Sequence, residues 1–151
     1  MSWLNMLGFA CLDPMFRYHL YKDLKKTTRV YGFHLPSADF QVAGMIFADK
    51  ENFEAAFMKV QDRICTRPPC RISDDLLAII GAVLMDPALL EELFKDPIRF
   101  LEDHGFHLHH LDIYVLTTML GEKREELKKE LRNLGDKIRA LMESKRRKAA
   151  A

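Results

Sequence analysis

Cysteine is scarce in this chain: three among 151 residues (Cys11, Cys65 and Cys70), an odd number and too few for a disulfide scaffold. A reducing compartment, the cytoplasm, is the expected setting. No apolar run approaches the roughly 20 residues that a membrane-spanning helix needs, and the opening MSWLNMLGFACLD lacks the basic start of a secretory signal. No membrane partner is expected. Net charge is nearly absent as well, with 23 Lys+Arg against 22 Asp+Glu. That excludes a uniformly basic nucleic-acid binder and a strongly acidic chain. Also missing are a P-loop, a dinucleotide fingerprint, a nucleophile triad and carboxylates paired in an apolar setting. These absences favour a binding or accessory protein over an enzyme, and no catalytic residue is assigned.

What is present is a folding composition: 48% hydrophobic and 30% charged residues suit a soluble globular chain. The charge is unevenly placed. From Glu122 to Lys148 there are eleven basic and six acidic residues, so a mildly acidic body carries a basic tail.

The chain also repeats itself. At an offset of 73, Ser2–Glu51 and Asp75–Arg124 share 14 of 50 positions, where unrelated sequences share roughly three. The matches fall at geometrically demanding places: Asp13-Pro14 with Asp86-Pro87, Lys22-Asp23 with Lys95-Asp96, and Gly32-Phe33-His34-Leu35 with Gly105-Phe106-His107-Leu108. One extra residue in the second copy then aligns Phe53, Phe57, Val60 and Ile64 with Leu127, Leu131, Leu134 and Ile138. The expected organisation is copy 1 over 1–64, a linker over 65–72 and copy 2 over 73–148. The two copies are expected to pack about a pseudo-twofold axis, because neither is large enough to bury a sizeable core alone.

Local signals read as all-α, with about four helices per copy. Ser73-Asp74-Asp75 caps an apolar helix over about 74–84, and Asp86-Pro87 and Asp96-Pro97 each join a capping acid to a first-turn proline. Gly105 stands where a helix end wants a left-handed residue. A helix follows from His110, with His109 at its cap, and a last one runs over about 122–147. In copy 1, Leu24 replaces the second proline, and Thr27, Thr28 and Val30 lower helix propensity, so a short or irregular helix is expected there.

The order of acid-Pro start, apolar helix, second acid-Pro start, then Gly-Phe-x-Leu before a helix with an acid at its third position, resembles a known small module. It is similar to the small non-catalytic (LigA-type) subunit of extradiol ring-cleaving dioxygenases. It is also similar to helical recognition modules on some precursors of ribosomally made peptide natural products. The resemblance covers about 35 residues in each copy. The family usually has Ser or Thr at the cap before the last helix, where Pro36 and His109 stand here. It implies a protein- or peptide-binding role beside a catalytic partner, with no chemistry in the module itself.

Four places are candidate sites. The first is a basic and aromatic face, Arg17, Tyr18, His19, Tyr21, Lys22, Lys25, Lys26, Arg29 and Tyr31. Where copy 1 has Tyr18 and His19, copy 2 has Glu91 and Glu92, an ordinary solvated pair. The difference marks this face for a partner chain or the sibling copy rather than a nucleic acid. The second is His104, His107, His109, His110 and Asp112, ligand types for a transition metal; the alternative is turn and cap residues. Apart from that metal, no cofactor is expected. Third, Cys65 and Cys70, with Arg63, Arg67 and Arg71 nearby, allow a redox-sensitive linker. Fourth, the last helix spaces Leu127, Leu131, Leu134, Ile138 and Leu141 as a coiled-coil seam, which serves either packing within the chain or a homodimer. Its basic end, Lys145–Lys148, is the alternative site for an anionic ligand or nucleic acid. Gly135 on this helix points to a close approach or a bend.

Overall fold

Aspartate caps set the starts of four helices. In a computed structural model, which describes residues 2–64 and 72–150, Asp13 accepts hydrogen bonds from the Met15 and Phe16 amides, Asp23 from Lys26, Asp86 from Ala88 and Asp96 from Arg99. Each satisfies an amide that a helix start would otherwise leave unpaired.

Ten α-helices and no strand occur among the described residues. They are α1 (Trp3–Leu12), α2 (Pro14–Lys22), α3 (Leu24–Val30), α4 (Ser37–Phe47), α5 (Lys50–Ile64), α6 (Asp74–Met85), α7 (Pro87–Lys95), α8 (Pro97–His104), α9 (His110–Met119) and α10 (Arg124–Ala150). The protein is all-α. None of these helices is long and apolar enough to cross a membrane. Helices α2, α3 and α4 start at 14, 24 and 37; α7, α8 and α9 start at 87, 97 and 110, 73 residues later in each case.

The segment expected to be short or irregular is a short, regular helix: α3 has seven residues. Thr28 Oγ1 donates to the Leu24 carbonyl at 3.0 Å, and Thr27 Oγ1 reaches across to the His19 carbonyl of α2 at 2.9 Å. The Thr27 bond to the neighbouring helix offsets part of the low helix propensity of the pair, while the Thr28 bond within α3 pairs a hydroxyl that burial would otherwise leave without a partner. Gly32 and Gly105 end α3 and α8 with φ of 76° and 68°, the left-handed geometry that glycine adopts without strain.

One core runs through both halves. Helices α1 and α6 form its centre, α5 packs on α1, α10 packs on α6, and α5 and α10 pack on each other. The α1–α6 contact is backbone on backbone. A Cβ on Gly8 would stand 2.1 Å from the Leu77 carbonyl oxygen, and one on Gly81 would stand 2.1 Å from that of Leu4. These are reciprocal positions, since Leu77 and Gly81 lie 73 residues after Leu4 and Gly8.

The α10 seam is used inside the chain: Leu127, Leu131, Leu134 and Ile138 are all buried against the core. Gly135 serves a close approach, its added Cβ falling 2.4 Å from the Leu84 carbonyl oxygen of α6. Gly44 is the opposite case. Its added Cβ would meet only Leu24 Cδ2 at 3.9 Å, in a helix interior. Gly44→Ala is expected to stabilise the protein by about 0.5–1 kcal/mol, read as a raised midpoint in urea; a lowered midpoint would contradict the open space there.

Candidate functional site

Helices α2 and α3 form a hairpin hinged at Asp23, whose carboxylate is spent on capping α3. Between them lies a half-open groove of about 550 Å³, lined by His19 and Lys22 of α2, Lys26, Thr27 and Val30 of α3, with Asp23 and Tyr31. Tyr31 is positioned from below, its ring lying edge-on to Phe16 at 4.9 Å, and Phe16 stacks on Phe9 at 4.5 Å. Val30 is 69% exposed, Tyr18 is 51% exposed, and Met15 is exposed one turn before Tyr18. Large apolar side chains left in water on one hairpin are the mark of a contact surface.

The second half has a groove at the corresponding place, between α7 and α8. It is smaller, about 310 Å³, and is lined by Glu92, Lys95, Asp96, Arg99 and Asp103. These residues lie 73 positions after His19, Lys22, Asp23, Lys26 and Val30. Their charges are largely used locally. Arg99 pairs with Asp103 at 3.5 Å, and Glu92 meets His104 Nε2 at 3.1 Å. Just outside, Glu91 pairs with Lys128 at 2.7 Å and with Arg132 of α10. The Lys128 hydrogen bond chiefly holds the Glu91 carboxyl below its ordinary range.

The expected partner face is brought together in part. His19, Lys26 and Tyr31 line the groove, and Tyr18, Lys25 and Arg29 are exposed beside it. Arg17 is a correction: it is fully buried and unavailable to a partner. Its guanidinium donates to the Ala10 carbonyl (2.7 Å), to Gln61 Oε1 (2.8 Å) and to both Glu54 oxygens (3.1 Å), and it lies 5.7 Å from the centre of the Phe57 ring. It ties α2 to α1 and α5. Tyr21 belongs to the same network, half-buried, and donates to Glu54 Oε2 at 2.6 Å.

Burial, then the hydrogen bond to Glu54 and its charge, push the Tyr21 phenol well above its ordinary value of 10.0, with Arg17 opposing. A raised pKa means that the fold favours the neutral phenol. Its contribution is therefore complete below about pH 10 and is lost as pH rises above that value. The expected result is alkaline destabilisation beginning near pH 10 that is smaller in Tyr21→Phe; equal alkaline profiles for the two proteins would refute the role. Cys11 is likewise buried, which pushes its thiol up to about 12, with Arg17 acting in the opposite sense. It is a core residue.

The histidine corner does not converge. No group of three or more His, Cys, Asp or Glu side chains suited to a metal ion occurs among the described residues. Asp112 is buried, with one oxygen on the Ser73 amide at 2.8 Å and the other on the His109 amide at 3.2 Å. It joins the starts of α6 and α9. His104 faces Glu92, the His107 amide donates to Asp75 at 3.2 Å, and His109 and His110 are exposed. Cys65 and Cys70 lie outside the described residues.

Many cations of the basic tail are also engaged. Lys137 donates to the Asn52 carbonyl at 2.9 Å, Arg139 to the Leu84 carbonyl at 2.6 Å and Lys145 to the Ala38 carbonyl at 3.3 Å. The residues that sequence reasoning missed are Val30 in the groove and Glu54 and Gln61 around Arg17. Val30 carried a usable signal, since the charged Asp103 stands 73 residues later, at the aligned position. Glu54 and Gln61 align with Lys128 and Gly135 and carried none.

No family model matches this chain, and no curated protein or solved structure matches it either.

Proposed function

We propose that the protein is an accessory binding module, built from two copies of one helical unit, that engages a protein or peptide partner through the α2–α3 hairpin of its first half. The observation that carries this reading is the contrast between two corresponding grooves. The first is the larger and is lined by exposed Val30 and Tyr31, with Tyr18 exposed beside it; the second is acidic and internally paired. The first hairpin exposes Met15, Tyr18, Val30 and Tyr31 where the second exposes Ile98 as its one large apolar side chain, so the first presents the larger contact surface. The matched starts of the helices and the reciprocal Gly8–Leu77 and Gly81–Leu4 contacts support the two-copy reading.

Site-specific photo-cross-linking in cells tests the proposal. A cross-linking amino acid at Val30 is expected to yield a discrete protein adduct that the same group at Asp103 does not. No adduct at Val30, or the same adducts at both positions, would sink the reading.

A further inference from the structure

The charge around the first groove is one-sided. From Pro14 to Tyr31 the chain has five Lys and Arg residues and a single carboxylate, Asp23. That carboxylate caps α3, and Arg17 is buried on Glu54. Four cations remain, Lys22, Lys25, Lys26 and Arg29, all exposed. Among the described residues none of the four has a carboxylate within ion-pairing distance. The matching stretch of the second half, Pro87 to His104, has five acids against two bases, and three of its acids are paired. Neutralisation is thus the rule on the second hairpin and is missing on the first.

The geometry points to an acidic segment of a partner protein, carrying an apolar anchor side chain, as the occupant of the α2–α3 groove. This identification rests on the binding role proposed above and adds the chemistry of the partner. The groove supplies both halves of such recognition. Val30 and Tyr31 give apolar surface for one anchor, and Lys22 and Lys26 line the groove from opposite helices. Four like charges on two short helices raise the potential locally, which favours an incoming carboxylate cluster and speeds its encounter. A groove of about 550 Å³ falls in the range that encloses an anchoring group.

An extended polyanion fits less well. Helix α2 is nine residues long, about 13 Å at 1.5 Å per residue, so the cationic patch spans only a few phosphates. The body beyond it is net acidic, which repels the rest of a nucleic acid.

Fluorescence anisotropy on the full chain with labelled peptides of about 12 residues tests this. Three peptides share a central Leu-Phe and differ in their flanks, which are Glu, Gln or Lys; a single-stranded oligothymidylate of the same length is the polyanion probe. The Glu peptide is expected to bind about tenfold tighter than the Gln peptide at low salt, a preference that shrinks as salt rises. Lys22→Glu/Lys26→Glu is expected to remove that preference and turn it towards the Lys peptide. Because both positions are exposed, its thermal unfolding should match that of the unmodified protein, which separates lost binding from lost fold. Equal affinity for the Glu and Gln peptides, no binding by any peptide, or tighter binding of the oligonucleotide than of the Glu peptide would each overturn the inference. A Val30 cross-link obtained alongside any of these results leaves the binding role standing and removes only the acidic partner. Absence of the cross-link removes the role itself.

Discussion

Gly8→Ala is expected to lower the stability of the protein by about 3 kcal/mol or more, at the upper end of what overpacking costs. The added methyl would lie 2.1 Å from the Leu77 carbonyl oxygen and under 3 Å from the Leu77 carbonyl carbon and Cα. All three are backbone atoms in the interior of α6, so no side chain can turn aside. Relief requires one central helix to move off the other, which loosens the core around Met6, Leu7, Ile79 and Ile80. Alanine's better helix propensity returns only about 1 kcal/mol. For a chain of this size the loss corresponds to a fall of about 6–12 °C in Tm. Gly81→Ala should behave alike, because its added methyl would meet the Leu4 carbonyl at the same 2.1 Å. The double variant should cost clearly less than the sum, since the first alanine has already opened the crossing that the second would strain. Thermal unfolding of the three variants decides the matter. A Gly8→Ala protein that melts within a degree or two of the unmodified one would mean that α1 and α6 do not cross this closely.

Glu54→Ala is expected to cost about 3–5 kcal/mol, the usual penalty for leaving a buried charge without its partner. The reason lies in the unequal burial of the pair. Arg17 is fully buried, whereas the Glu54 side chain retains 28% exposure, so removing the carboxylate strands the group that cannot reach water. The Ala10 carbonyl, Gln61 and the Phe57 ring still face the guanidinium, but none of them carries a compensating charge. Removing both charges should hurt less than removing the acid alone. Arg17→Leu introduces the residue that stands at the aligned position in the second half, Leu90, which is itself buried. Arg17→Leu/Glu54→Ala is therefore expected to recover at least about 1 kcal/mol of the Glu54→Ala loss. Urea denaturation of the two single variants and the double variant gives the coupling directly. A double variant less stable than Glu54→Ala would show that the pair contributes through its neutral hydrogen bonds and packing, with the buried charge playing no part.

Much of the helical plan was legible because its determinants are local. An aspartate followed by proline fixes a helix start within three residues of chain, and a glycine with positive φ fixes an end in the same way. The starts at Pro14, Pro87 and Pro97 and the ends at Gly32 and Gly105 follow those signals. The α10 seam was legible as apolar spacing, and four of its five residues, Leu127, Leu131, Leu134 and Ile138, are buried within the chain, where α10 packs on α5 and α6. Helix α3 was expected to be short or irregular because propensity counts its threonines as a liability, and it is short but regular. The hydroxyl of Thr27 instead finds the His19 carbonyl on the neighbouring helix, a partner that no propensity scale contains.

The candidate site was legible in outline. The difference between Tyr18-His19 and Glu91-Glu92 pointed to the hairpin on which the groove lies. It could not separate Arg17 from the lysines around it, since all are cations on one short helical stretch. Burial of Arg17 depends on Glu54 and Gln61, which lie 37 and 44 residues along the chain. Contacts of the basic tail were hidden for a related reason: Lys128 and Arg132 are answered by Glu91 from another helix, and Lys137, Arg139 and Lys145 by carbonyls of the body.

By itself the sequence determined that this chain is helical, where most of its helices begin and end, and which stretch carries exposed cations and tyrosines. Capping, turn chemistry and apolar period act over a few residues and so can be read off a line of text. Only the tertiary structure decided which cations stay free, how closely α1 and α6 approach, and that Lys22 and Lys26 line a groove with Val30 and Tyr31. Those outcomes depend on groups distant in sequence coming within a few ångströms, and close packing makes such distances a property of the whole fold.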